Sequence, residues 1–128
     1  MKYTIVLHSS PESLSGSTSA LKFARSLISA GHCIYRVFLH GDAVLLSCSN
    51  TVASQDEMSI HNEWKQFIIE NKLDAIVCIS SAIKRGVMNT DEASRYDKLP
   101  TMSPCYTLSG LGQLVDACVG SDRVITFK

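Results

Sequence analysis

An α/β fold, with a five-stranded parallel sheet covered on both faces as a three-layer α/β/α sandwich, is the class this sequence predicts. Three observations predict it. Five short β-rich runs alternate with helical segments from one end of the chain to the other. No two runs are joined by a two-residue hairpin turn, which leaves parallel pairing with helical crossovers. The chain is 128 residues long and 45% hydrophobic, enough for one core, so residues 1–128 are expected to form a single domain.

The elements follow in order. Lys2 to Leu7 is the first strand, and His8 to Ser17, with Pro11 and Gly16, is a polar loop. Ser17, Thr18 or Ser19 caps the first helix, whose apolar face is Ala20, Phe23, Ala24, Leu27 and Ile28 at helical spacing; Gly31 ends it. Cys33 to Leu39 is the second strand, and His40 to Ala53 is a loop with the apolar insert Val44-Leu45-Leu46. Ser54-Gln55-Asp56-Glu57 reads as a capping box for a second helix with the buried stripe Ile60, Trp64, Phe67 and Ile68. Asn71 closes that helix. Leu73 to Ile79 is the third strand. A short helix runs on through Lys84 to a break near Gly86, and another turn starts at Asn89 to Glu92 and continues through Arg95. Pro100 to Pro104 is loop and Cys105 to Leu108 a short fourth strand. Ser109 and Gly110 open a last helix with Leu111, Leu114, Val115 and Cys118 on one face; Gly120 stops it before the fifth strand, Arg123 to Phe127.

Composition narrows the function classes. Twelve Lys and Arg balance twelve Asp and Glu, so the net charge is zero and no nucleic-acid-binding surface is indicated. The first seven residues read as a strand rather than a secretory leader, and no apolar run approaches the length of a membrane span, so a cytoplasmic protein is expected. The five cysteines are then reduced; their number is odd and none are spaced C-x-x-C, against a redox pair or a zinc knuckle.

Cys78 carries the most chemistry. It nearly closes an apolar strand and precedes Ser80-Ser81 and the cations Lys84 and Arg85. Ligands in open α/β sheets collect beyond the carboxyl ends of strands. Helix-start amides and nearby cations both favour a thiolate, which is the nucleophile. An accessible strand end would suit transfer to another protein's thiol. Cys78 equally fits a small core residue. Cys33 and Cys118 read as packing residues, and Cys48 and Cys105 as loop cysteines. His8 ends the first strand on the same sheet edge, where a Cys–His pair would activate the thiol. His32, His40 and His61 have no metal-ligand spacing. Ser109-Gly110-x-Gly112 lacks the rest of a dinucleotide fingerprint and reads as a tight strand-to-helix turn, and Trp64 reads as core.

Four segments, taken together, resemble a known family: Cys78-Ile79-Ser80-Ser81-Ala82-Ile83-Lys84-Arg85-Gly86-Val87; Asp91-Glu92-Ala93-x-Arg95; Leu108-Ser109-Gly110-Leu111-Gly112-Gln113-Leu114; and Asp122-Arg123-Val124-Ile125-x-Phe127. They are similar to the DsrE/TusD family of sulfur carriers, with a DsrEFH-like fold, and most similar to its TusD branch. The N-terminal half agrees through Ser19-Ala20-x-x-Phe23-Ala24, Gly31-His32 and Val37-Phe38, whereas the His40 to Cys48 loop keeps only the valine of the family's pattern. The resemblance implies a sulfurtransferase whose persulfide-forming nucleophile falls on Cys78, with no cofactor or metal. The residues beside it read as its support, Ser80 and Ser81 by hydrogen bonding the sulfur or capping the helix, Lys84 and Arg85 by charge or, equally, as a solvated helix face. It implies a heterohexamer with TusB-like and TusC-like subunits, a TusA-like sulfur donor and a TusE-like acceptor. The sulfur would end in 2-thiolation of the tRNA wobble uridine, with no direct nucleic-acid binding by this chain. The alternatives are a DsrE-type carrier in dissimilatory sulfur oxidation, a non-catalytic assembly subunit whose cysteine is structural, and a small-ligand-binding module.

Overall fold

In the computed structural model, which describes residues 1–13 and 15–128, five strands form one all-parallel sheet in the order β4-β3-β2-β1-β5. They are β1 (Lys2–Leu7), β2 (Cys33–Leu39), β3 (Ala75–Cys78), β4 (Thr107–Ser109) and β5 (Arg123–Phe127). The helices are α1 (Ser15–Ser29), α2 (Ile60–Glu70), α3 (Ile79–Lys84), α4 (Thr90–Arg95) and α5 (Gly112–Gly120), with 3₁₀ turns at Pro11–Ser13 and Gly41–Ser47.

Strand periodicity divides the core between the two faces. Ile5, Leu7, Val37, Leu39, Ala75 and Val77 face one way and pack with Ala20, Ala24 and Leu27 of α1 and with Ile60, Trp64, Phe67 and Ile68 of α2. Trp64 is wholly buried there, and its indole N–H donates to the Ser17 carbonyl at 3.0 Å. Val6, Phe38, Ile76 and Cys78 face the other way, against Leu114 of α5. This is the expected three-layer arrangement, with one layer much thinner than the other. α5 is held down by Arg36, whose guanidinium donates to the Gln113 carbonyl at 2.8 Å, to Asp116 at 2.9 Å and to Asp74 at 2.8 Å. Its end sits so close to the sheet that a Cβ on Gly120 would run into the Tyr35 ring.

Several local expectations shift. α1 begins at Ser15, ahead of the expected caps, and the described part of the His8 to Ser17 loop contains a 3₁₀ turn. Leu14, inside that expected loop, lies outside the described residues. The Ser54 to Glu57 box forms only a turn. The cap of α2 is Ser59, which accepts the Asn62 N–H at 3.2 Å, because the helix starts where its apolar stripe starts. The apolar insert at 44–46 is not loop but a 3₁₀ turn that buries Val44 and Leu46. β3 is shorter than expected, because the helix begins at Ile79, and β4 lies one to two residues later, after a turn closed by Tyr106 N–H on Ser103. The face expected to bury α5 is largely outward: Leu111, Val115 and Cys118 are exposed, Leu114 is half-buried, and only Ala117 is buried. Cys33 is exposed too, so neither Cys33 nor Cys118 is a packing residue.

Candidate functional site

Cys78 is the last residue of β3 and the N-cap of α3, with extended backbone (φ −61°, ψ 117°). The strand turns into helix with no intervening loop, so Ser80 and Ser81 fall in the first turn rather than at the cap. Alternation along β3 points Cys78, with Ile76, to the α5 side of the sheet. The side chain is therefore only 1% exposed, in contrast to the accessible strand end expected. Ser80 beside it is exposed.

The sulfur sits 3.4 Å from the Ser80 hydroxyl. Its pKa lies below the ordinary thiol value. Burial alone would raise it, but the Ser80 hydroxyl, the Ser81 amide and hydroxyl, and the Ser80 amide together outweigh burial by favouring the anion. No cap hydrogen bond onto the sulfur is closed in this geometry. Of the expected supporting residues, Ser80 and Ser81 are thus brought to the thiol. Arg85 instead donates to Asp42 at 2.9 Å and to the Ser81 carbonyl at 3.0 Å, and Lys84 is exposed in the last turn of α3.

Ser81 also links the site to the segment after β2. Its hydroxyl accepts the Gly41 N–H at 3.1 Å, an approach made with Gly41 at φ +59°, where glycine is favoured. The preceding residue, His40, stacks on Phe38 at 6.5 Å. His8 does not form the expected pair with Cys78; its Nδ1 meets the Nδ1 of His40 at 3.4 Å, with the rings edge-on. Burial, then His40, then Lys128 lower the His8 pKa. His40 is the residue the sequence reading passed over. The signal for it was its position directly after β2, but only strand register reveals what it faces.

Among the described residues, no group of three or more His, Cys, Asp or Glu is arranged to hold a metal. A surface cavity of about 900 Å³ lies behind α3, lined by Ile83, Met88, Leu99 and Thr101 among others, and Cys78 is not in its wall. Among the described residues no helix is long and apolar enough to cross a membrane. The arrangement suits a nucleophilic thiol at a strand end.

The model of the DsrE/DsrF-like family matches residues 1–127. Among curated proteins, the chain is 38% identical to "Sulfurtransferase TusD homolog" of Pseudomonas aeruginosa, over 99% of this chain and 97% of that one. It is also 38% identical to "Putative sulfurtransferase DsrE" of Allochromatium vinosum, covering 99% and 98%. Identity to "Sulfurtransferase TusD" of Cronobacter sakazakii is 33%, covering 99% and 100%. Among solved structures, the ychN protein from E. coli superposes with a TM-score of 0.78 at 19% identity over 99% of both chains, a likeness of fold.

Proposed function

We propose, on the premise that this chain belongs to the DsrE/DsrF-like family and is a sulfurtransferase like its relatives, that the sulfur travels on Cys78. The observation that carries this reading is the thiol's setting: a strand-end cysteine whose anion is favoured by two successive serines. A thiol with a pKa near ambient pH is the best attacker in exchange at sulfur. The Cys78 thiolate attacks the outer sulfur of a donor persulfide, one S–S bond forms as another breaks, and the donor leaves as a thiolate. An acceptor thiolate repeats the step on the Cys78 persulfide. Electrons balance with no metal, nucleotide or organic cofactor. Ser80 and Ser81 stabilise the anion. Arg85 is taken up by Asp42 and the Ser81 carbonyl, which leaves Lys84, exposed in the last turn of α3, as the cation available to an incoming partner. Because Cys78 is 1% exposed, transfer requires the sulfur to turn outward past Ser80.

In the finer reading, residues 1–128 act as one domain in the cytoplasm, in a heterohexamer with TusB-like and TusC-like subunits. A TusA-like protein supplies the sulfur, a TusE-like protein takes it, and it ends as the 2-thio group of the tRNA wobble uridine. The TusD names of the relatives support this. A second reading, a DsrE-type carrier in sulfur oxidation, is favoured by the equal 38% identity to the Allochromatium vinosum protein. The experiment is to replace the codon for Cys78 by that for serine in the organism that encodes the chain, and to measure 2-thiouridine in its tRNA and its rate of sulfur oxidation. Loss of 2-thiouridine supports the relay. Intact tRNA with impaired sulfur oxidation replaces it with the second reading. No change in either overturns Cys78 as carrier.

A further inference from the structure

Carried one residue past the last paired residues of β2 and β3, the ladder register gathers the chemistry. Val77 pairs with Leu39, Leu39 with Leu7, and Leu7 with Phe127. The next residues are Cys78, His40, His8 and Lys128, and Cys78 itself pairs with Ser109 on the other side. Between β2 and β1 and between β1 and β5 the ladder continues here: His40 N–H donates to the Leu7 carbonyl at 2.9 Å and His8 N–H to that of Phe127 at 3.0 Å. His40 keeps extended backbone at φ −131°, ψ 151°. Its ring stacks on Phe38, two residues back, so it lies on the face shared by Phe38 and Cys78. In-register neighbours on one face of a sheet have their Cβ atoms roughly 5 Å apart. Cys78, His40 and His8 thus form one row along the carboxyl edge.

We infer that His40 is the proton acceptor for the Cys78 thiol, and that His8 is the positioning residue that fixes the His40 tautomer. The inference rests on sulfur transfer at Cys78 as proposed above and adds the base. The 3.4 Å contact between the two Nδ1 atoms requires one ring to donate and the other to accept. Burial and then His40 lower the His8 pKa, which favours a neutral ring with an acceptor nitrogen, and that acceptor is assigned to His8 Nδ1. His40 then carries its proton on Nδ1 and presents the Nε2 lone pair. In the step, the thiol turns from Ser80 toward His40, Nε2 takes its proton, and the thiolate attacks the outer sulfur of the donor persulfide. The imidazolium returns the proton to the departing donor thiolate. The other charged groups around the row are Lys128 at the end of β5, Asp42 neutralised by Arg85, and Lys84 on α3. The two imidazoles are the histidines of this row, and histidine is the side chain whose charge ordinarily changes near neutral pH.

The test uses the full chain and two readouts across the imidazole and thiol ranges of pH. One is the rate of Cys78 alkylation by iodoacetamide, read on the Cys78 peptide. The other is sulfur loading from a low-molecular-weight persulfide. His40→Gln removes the base. His40→Phe also removes it but keeps the stack on Phe38, so at least one variant tests the role if the other fails to fold. His8→Leu removes only the tautomer's partner. Both wild-type rates should show an imidazole-range step, rising as pH rises. Both His40 variants should lose the step and load sulfur at least about tenfold more slowly at neutral pH. His8→Leu should displace the step without removing it. An unchanged step in both His40 variants overturns the inference and leaves Cys78 loading intact. A His40-dependent alkylation step in a chain that takes up no sulfur overturns the transfer reading and leaves His40 as the base of the thiol.

Discussion

The reactivity of this site turns on two adjacent hydroxyl residues. Removing the Ser80 hydroxyl takes away the group that most opposes burial of the Cys78 anion, so Ser80→Ala should raise the thiol pKa. At neutral pH the thiolate fraction then falls, and alkylation of Cys78 should slow several-fold while its high-pH plateau stays unchanged; a rate equal to wild type at neutral pH would contradict the role. Cys78, Ser80 and Ser81 were legible in the sequence because a strand end followed by helix-start residues is a local pattern. His40 was not, because its relation to Cys78 exists only through the register of β2 on β3, 38 residues apart in the chain. Between the two readings of Cys78, core residue or accessible strand end, the sequence could not choose, for a related reason. Which face a strand residue takes is set by the alternation, but how well that face is covered depends on α5.

The helices differ in how firmly they are held. α2 is locked through Trp64, wholly buried and hydrogen-bonded to Ser17 of α1. Trp64→Ala should cost about 3–5 kcal/mol, read by denaturant unfolding; a cost under about 1 kcal/mol would mean the site collapses freely. α5 is held mainly by polar contacts. Hydrogen bonds from Arg36 and then Tyr35 hold the Asp116 carboxyl below its usual range. A carboxylate with a depressed folded pKa adds stability above its unfolded pKa, and that stability is lost as pH falls through the folded value. Asp116→Asn should therefore lower stability at neutral pH and flatten the loss on acidification, measured by unfolding at a series of pH values; an acid limb identical to wild type would contradict the latch. The α2 stripe was legible because helical spacing and burial agree there; in α1 Ala20, Ala24 and Leu27 are buried as expected, Phe23 is half-buried, and Ile28 is exposed while Leu21 is buried in its place. In α5 the apolar residues Leu111, Val115 and Val119 are 51%, 64% and 84% exposed, and periodicity alone could not tell which side faces the sheet. The false start at Ser54 has the same root. A capping motif is only a local option, and the helix takes it only where a buried stripe follows.

At the scale of the molecule the two layers are unequal. The α1/α2 layer buries most of the core, while α5 lays one half-buried leucine and one buried alanine on the face that holds Cys78. Regions with few buried apolar contacts open at low free-energy cost. Amides of α5 should thus exchange with deuterium well before those of α2 and β1. Equal protection would contradict a thin, openable layer over the thiol. The parallel topology follows from strands alternating with helices and was legible; the strand order β4-β3-β2-β1-β5 was not, because alternation does not say on which side each crossover returns. All of this places one sulfur atom at the carboxyl edge of the sheet, and the most direct test is of that atom. The purified chain is incubated with a persulfide donor, and its peptides are mapped under non-reducing conditions by mass spectrometry, beside Cys78→Ser. One extra sulfur on the Cys78 peptide, absent from the variant and released to an acceptor thiol, is the predicted result. A Cys78 peptide that gains no sulfur, with the partner subunits present as well, would contradict the account.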